Sequence, residues 1–199
     1  MKDYNLTFDA ESHKYNLNGA DIPSVTKIIQ KVLPTNFYVS EEVLEQKSLI
    51  GQYVHTATEL YDQDNLDIDS LHPTLKGYLD GWIRFRMIFD IKPIAIELRL
   101  AHPVYKFAGR IDRVFEGDIL VDIKTGVPQK MNALQLAGYK ELWDYDKKSK
   151  DKIKKRIVVY LRKEGAFKIE EYKDISDKAI FLSCLNVYGW LSKNNGGVR

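Results

Sequence analysis

The amino-acid sequence predicts an α/β (α+β) fold in one domain, with a central mixed sheet flanked by helices and a helical N-terminal half. Apolar residues recur with the helical period of 3.6 over much of residues 24–90. From Ile94 the period changes to two, which is typical of strands. No segment is rich enough in Gly, Pro or Ser to separate two domains, and 199 residues suffice for one core.

The N-terminal half begins with a predicted hairpin over residues 4–22, with Asn18-Gly19 in a turn. Ser24 is expected to cap a helix that ends near Leu33. Two longer helices follow, over 40–64 and 74–90. Their predicted apolar stripes are Val43, Leu44, Ile50, Val54 and Leu60 in the first, and Leu75, Leu79, Trp82, Phe85 and Phe89 in the second.

Strands dominate the next part of the chain. In IAIELRL, residues 94–100, the four apolar residues are expected on one face, with Glu97 and Arg99 on the other. Further strands are predicted over 104–115, 118–124, 156–163 and the segment AFKIEEYK, with helices over 132–145 and from about Ser176. We therefore expect an N-terminal hairpin with helices over 1–92, a catalytic sheet core over 93–173 and a C-terminal helix over 174–195.

Composition narrows the class of protein. A net charge of +2 leaves no global basic field, so any nucleic-acid surface must be local. Cys184 is the only cysteine, which excludes an intrachain disulfide and argues against a cysteine-ligated zinc ion or iron–sulfur cluster. No apolar stretch approaches the roughly 18 residues of a membrane span. We expect an intracellular, cytoplasmic protein that does not associate with membranes.

Two charged residues on one predicted strand stand out. Alternation along ILVDIK places Asp122 and Lys124 on the same face, about 7 Å apart. Asp112 precedes them by one hairpin and is expected beside Asp122. Two carboxylates so close repel each other unless a cation such as Mg²⁺ or Mn²⁺ lies between them, and the lysine could then orient water or counter phosphate charge. From these residues alone, an ordinary cross-strand ion pair explains the pattern equally well.

Four motifs in this order resemble the RecB-type branch of the PD-(D/E)XK nuclease superfamily. They are the helical segment GQYVHTATE with His55, the GxxD strand ending at Asp112, the D-x-K strand of Asp122 and Lys124, and the Q-x-x-x-Y helix of Gln135 and Tyr139. The resemblance covers about residues 15–145. It includes IPSVTKII, which is similar to the opening of small phage exonucleases and of the mitochondrial genome-maintenance exonuclease group. It implies a restriction-endonuclease-like core in a protein of a bacterial or phage-infected cell.

The resemblance also implies a metal-dependent DNA exonuclease that leaves 5′-phosphates. Mg²⁺ or Mn²⁺ would be held by the ligand set His55, Asp112, Asp122 and the main-chain carbonyl of Ile123. Glu97 matches a position that is often acidic in similar sequences and would be a second-metal or water-mediated ligand, or else it pairs with Arg99 beside it. Asp112, Asp122 and Lys124 would be the catalytic residues, and Lys124 would position the attacking water. The cluster-bearing members of the family place four cysteines around this domain, so no iron–sulfur cluster is expected here.

Other residues have both a functional and a structural interpretation. Gln135 and Tyr139, one helical turn apart, would help hold DNA, but the same spacing suits a helix surface with a half-buried tyrosine. Without the resemblance, a histidine such as His55, on a helix lined with apolar residues, is typical of a core histidine. The basic run KKSKDKIKKR over 147–156 is either a solvated loop or a phosphate-attracting rim.

Two alternatives to an exonuclease follow from the same motifs. One is a structure-selective or restriction-like endonuclease. The other is a catalytically silent nucleic-acid-binding protein of the same fold, which the intact Asp112, Asp122 and Lys124 disfavour. The expected partner is DNA, as single strands or duplex ends, in recombination, replication or repair. A homo-oligomer or a recombination partner protein is left open.

Overall fold

The computed structural model describes residues 4–34, 41–145 and 147–194 and has the predicted mixed α/β fold. Its strands are β1 (Leu6–Asp9), β2 (Lys14–Leu17), β3 (Ala20–Ile22), β4 (Pro93–His102), β5 (Phe107–Phe115), β6 (Ile119–Lys124), β7 (Lys155–Leu161) and β8 (Phe167–Glu171). Its helices are α1 (Val25–Val32), α2 (Glu41–Asp62), α3 (Pro73–Phe89), α4 (Met131–Asp144) and α5 (Ser176–Asn194). None of the helices within these ranges is long and apolar enough to cross a membrane.

The central sheet has five strands in the spatial order β4-β5-β6-β7-β8. Only β6 and β7 are parallel, and α4 supplies the crossover that a parallel pair requires. One face of the sheet forms a core with α1, α4 and α5, and the other forms a second core with α2 and α3. The sheet flanked by helices confirms the predicted fold class.

A smaller sheet of β1, β2 and β3 takes the place of the predicted hairpin. Asn18 and Gly19 do form a turn with positive φ, but it joins β2 to a third strand rather than ending the sheet. The N-terminal sheet packs on β5 through an apolar cluster around Ala108. Ser24 caps α1 as predicted, because its Oγ accepts a hydrogen bond from the Lys27 amide at 3.1 Å.

Two predicted apolar stripes extend too far. Val54 of α2 is buried, but Val43 and Leu44 are exposed because the first half of α2 lies beyond the core. In α3, Phe89 is also exposed, although its ring contacts Phe85 at 5.0 Å between centroids. The helix ends here, because the next residue, Asp90, is its left-handed C-cap. Residue 40, the predicted start of α2, lies outside the described residues.

The predicted alternation of β4 breaks at Glu97, which has a φ of +47°. Ala95 packs on the first core together with Leu98 and Leu100, whereas Ile94 is exposed. A left-handed residue interrupts the pleat, so the period of two starts again after it. Such a conformation is uncommon for a residue other than glycine and is often found where a side chain has a function.

Candidate active site

A cleft opens where β5 and β6 separate. Backbone pairing runs from Phe115 opposite Ile119 to Arg113 opposite Val121 and stops before Asp112. Here Asp112 Oδ2 accepts a hydrogen bond from the Ile123 amide at 2.8 Å. A side-chain carboxylate therefore replaces a main-chain carbonyl in the ladder, and the strands part around a cleft of about 580 Å³. Asp112 thus lies against β6, as expected.

Three potential metal ligands from different elements meet at this point. His55 Nδ1 of α2 lies 3.6 Å from Glu97 Oε1 of β4 and 3.6 Å from Asp112 Oδ2 of β5. One ligand atom from each residue lies within 4.8 Å of the other two. Ligands that surround a small cation at about 2.1 Å stand roughly 3 to 4 Å apart, and the two 3.6 Å separations from His55 lie in this range.

Glu97 is fixed in this group by two arginines. Arg113 Nη1 lies 3.0 Å from Glu97 Oε1, and Arg110 Nε lies 2.9 Å from Glu97 Oε2. Burial raises the pKa of Glu97, but His55 and the two arginines outweigh that effect, so the pKa is lowered and the carboxylate stays charged. The sequence suggested Arg99 as its partner. That pairing is wrong, because Arg99 follows the break in β4 and stacks over Phe8 instead.

Arg113 also ties the site to α2. Its side chain is fully buried, its Nε donates to Asp62 Oδ2 at 2.7 Å, and its Nη1 donates to the main-chain oxygen of Asp112 at 2.6 Å. Asp62 and His55 lie two turns apart on the same helix. The buried ion pair holds α2 against the sheet and thereby fixes the position of His55 relative to Glu97 and Asp112.

Asp122 and Lys124 point the same way, as alternation predicts, and their Oδ2 and Nζ atoms lie 2.7 Å apart. Asp122 is 1% exposed, and its Oδ1 has no hydrogen-bond partner in the part of the chain that the structure describes. Burial raises its pKa to about 6, against the opposing effect of Lys124. Its carboxylate is not part of the group formed by His55, Glu97 and Asp112.

The charges around these residues suit a cation. His55 Nδ1 is buried and lacks a hydrogen-bond partner among the described residues. Burial lowers its pKa, but Asp112 and Glu97 outweigh burial and raise it. A divalent ion would supply the positive charge that these carboxylates otherwise draw from a protonated histidine. Ile123 lies between Asp122 and Lys124, and its carbonyl as a metal ligand stays a prediction.

Gln135 and Tyr139 lie on one face of α4, as predicted, and line the cleft. Gln135 Nε2 donates to the Tyr139 hydroxyl oxygen at 2.9 Å. Burial raises the pKa of Tyr139 well above its ordinary value, and the nearby Asp122 and Asp112 add to this. Gly109 makes the close approach possible: a Cβ there would stand 2.8 Å from Tyr139 Cε1 and 3.0 Å from Leu142 Cδ1. The glycine of the GxxD motif therefore has a packing role.

Part of the cleft lining could not be predicted from the sequence. This part is formed by the N-terminal sheet, the start of α1 and the β4–β5 pair. Its members include Phe8, His13, Lys27, Arg99 and Arg110. Only Arg99 and Arg110 carried a signal, as charged residues in predicted strands, and nothing local indicated that the first strands would fold over them.

The basic run lies elsewhere. Lys155 pairs with Ile119 at the start of β6, about 16 Å along the strand from Lys124. Arg156 is buried and lies 2.8 Å from Asp177 of α5, so it is structural and not part of a surface rim. No residue of the run lines the cleft within the described residues. The run does not border the cleft, and its role as a phosphate-attracting rim stays a prediction.

No protein-family model matches the chain, and no curated protein matches it. Among solved structures, the chain is similar to the one described as "Crystal structure of SSO0001". The sequence identity is 19%, each chain is covered over 85% of its length, and the TM-score is 0.41.

Proposed function

We propose that the protein is a divalent-metal-dependent DNA exonuclease that leaves 5′-phosphates, acting in recombination, replication or repair. One observation carries the proposal: His55, Glu97 and Asp112 offer ligand atoms within 4.8 Å of one another beside the ion pair of Asp122 and Lys124. An ordinary ion pair explains neither the histidine from α2 nor the unpartnered oxygen of a buried carboxylate. The family resemblance supplies the reaction.

The ligand set would be His55, Glu97 and Asp112, joined by Asp122 and the Ile123 carbonyl as the resemblance implies. A bound Mg²⁺ or Mn²⁺ supplies Lewis-acid activation of water and of the scissile phosphate. The fixed carboxylates give the cation a preformed site, because Glu97 and Asp112 are already held by Arg113 and the Ile123 amide. Little reorganisation is needed at the moment of reaction.

Lys124 and Tyr139 would act on the substrate directly. Burial lowers the pKa of Lys124, but Asp122 and Asp112 outweigh burial and raise it, so the ammonium stays charged. It donates hydrogen bonds to the attacking water and to a non-bridging phosphate oxygen. The water oxygen bonds to phosphorus as the bond to the 3′ oxygen breaks; the water gives up a proton to solvent, and the 3′ oxygen takes up a proton from solvent and leaves as a hydroxyl, which keeps the phosphate on the 5′ side. Tyr139 already accepts from Gln135, so its own O–H is free to donate to the phosphate.

Digestion of end-labelled DNA tests this function. Linear single-stranded, linear duplex and closed circular DNA are incubated with Mg²⁺, Mn²⁺ or EDTA. We expect the linear substrates to be degraded with either metal, the circles to stay intact and EDTA to abolish cleavage. Lys124→Ala is expected to slow cleavage at least about 100-fold. Lys173→Ala removes an exposed lysine outside the cleft and should leave the rate unchanged.

Each alternative has its own outcome in this assay. Cleavage of closed circles would replace the exonuclease with an endonuclease. Salt-sensitive DNA binding without cleavage of any substrate would favour a silent binding protein. Cleavage that persists in EDTA, or in Lys124→Ala at the wild-type rate, would contradict the metal mechanism.

A further inference from the structure

Cationic and acidic residues both line the cleft. They include Lys27, Arg99 and Arg110 as well as Asp112 and Asp122. DNA carries a negative charge at every phosphate, so a strand that enters the cleft must be held by cations. The cationic residues that are not already paired with a carboxylate therefore have a candidate ligand.

Arg99 and Arg110 face each other directly across the antiparallel β4–β5 pair. Like charges in this position destabilise a sheet. Glu97 neutralises Arg110. Neither Arg99 nor Lys27 has a carboxylate partner among the described residues, and both line the cleft. Charged residues without a carboxylate partner in a sheet are a local feature that is expected at a functional site.

Aromatic rings lie among these cations. The Arg99 guanidinium lies 4.8 Å from the centroid of the Phe8 ring. His13, at the tip of the β1–β2 turn, is exposed and meets Phe8 edge-on at 5.9 Å between centroids. Positive charge interleaved with aromatic rings is the arrangement by which proteins bind single nucleic-acid strands, since phosphates pair with the cations and bases stack on the rings.

We propose that Phe8, His13, Lys27 and Arg99, here called the basic wall, bind the single DNA strand next to the bond that is cleaved. Lys27 and Arg99 each pair with a phosphate, and the rings of Phe8 and His13 pack against a base. The cleft, about 580 Å³, has the size of a small-ligand site. This assignment rests on the proposed nuclease function and deepens it.

Binding measured without cleavage tests the basic wall. Fluorescence anisotropy of a labelled single-stranded oligonucleotide is recorded in EDTA over a range of NaCl concentrations. For Lys27→Ala and for Arg99→Gln, the slope of log affinity against log salt is expected to fall by about 0.7 each, one phosphate contact per residue. Arg99→Lys should keep the slope, and Phe8→Ala should weaken binding without changing the slope. Circular dichroism confirms that each variant is folded.

Matched controls remove cations outside the cleft. Lys155→Ala changes an exposed lysine at the start of β7 and Lys168→Ala one on β8, and both should leave affinity and slope unchanged. The basic wall would be overturned if the folded Lys27 and Arg99 variants kept the wild-type slope, or if Lys155→Ala lost slope instead. It would also be overturned if the protein bound blunt duplex as tightly as the single strand, or bound no DNA at all.

The two proposals fail separately. Nuclease activity together with unchanged binding slopes in the wall variants would overturn the basic wall and leave the nuclease intact. Reduced slopes in the wall variants without any cleavage would support the basic wall and contradict the nuclease.

Discussion

Replacing Gly109 with alanine tests the close packing that forms the cleft. The new Cβ would lie 2.8 Å from Tyr139 Cε1 and 3.0 Å from Leu142 Cδ1, well inside the normal carbon contact of about 3.5 to 4.0 Å. Both neighbours are buried. Overpacking costs about 1 to 3 kcal/mol, and the lower entropy of the unfolded chain offsets about 0.4 to 1 kcal/mol of this. The difference spans about 0 to 2.6 kcal/mol, and we expect a net loss near its middle, about 1.3 kcal/mol, in the free energy of unfolding.

Thermal and urea denaturation, followed by circular dichroism, measures this loss. Each kcal/mol lowers Tm by about 2 to 4 °C in a chain of this size. Gly126→Ala is the matched control, because no atom of the described residues, apart from its own chain neighbours, lies within 4 Å of its Cβ position, and its change is expected to stay within about 0.5 kcal/mol. If Gly109→Ala and Gly126→Ala have the same Tm, the packing argument is wrong.

A double mutant separates packing from other causes. Leu142→Ala alone is expected to cost about 2 to 5 kcal/mol, because it leaves a cavity in the first core. It also removes one of the two side chains that the alanine at position 109 meets. The double mutant should therefore lose less stability than the sum of the single mutants. Strict additivity would contradict the contact.

Two further predictions concern other parts of the molecule. Gly77→Ala in α3 would drive a Cβ into the carbonyl oxygen of Lys163, so we expect a loss above about 3 kcal/mol by urea denaturation, and a stability equal to wild type would contradict this packing. Burial raises the pKa of Cys184 above its ordinary value, so less thiolate is present at pH 8. Ellman's reagent should label the native protein far more slowly than the protein in guanidinium, and labelling of the native protein should become faster as the pH rises above 9. Equal labelling rates for the native protein and the protein in guanidinium would show that the thiol is accessible.

Local periodicity made part of the site predictable. The strand period alone places Asp122 and Lys124 on one face, and the helical period places Gln135 and Tyr139 on one face. Both relations are between residues a few positions apart, so no knowledge of distant packing is needed. The order of helices and strands is also readable in this way, and with it the fold class.

Long-range packing accounts for what could not be predicted. The left-handed conformation of Glu97 shifts β4 and transfers its pairing from Arg99 to Arg110 and Arg113. No residue pattern in IAIELRL signals that break. The packing of the N-terminal sheet beside the cleft could not be predicted from local sequence either, because Phe8 and Arg99 are separated by most of the helical half of the chain.

The proposed function depends most directly on a divalent cation bound by His55, Glu97 and Asp112. Calorimetric titration of the metal-free protein with Mn²⁺ measures this binding without any DNA. We expect wild type to bind Mn²⁺, and we expect His55→Ala and Asp112→Asn to lose about 100-fold or more in affinity. The control is Glu59→Gln, one helical turn from His55 and outside the cleft, which should bind Mn²⁺ as wild type does. Failure of wild type to bind Mn²⁺, or equal binding by Asp112→Asn, would contradict the proposed metal centre.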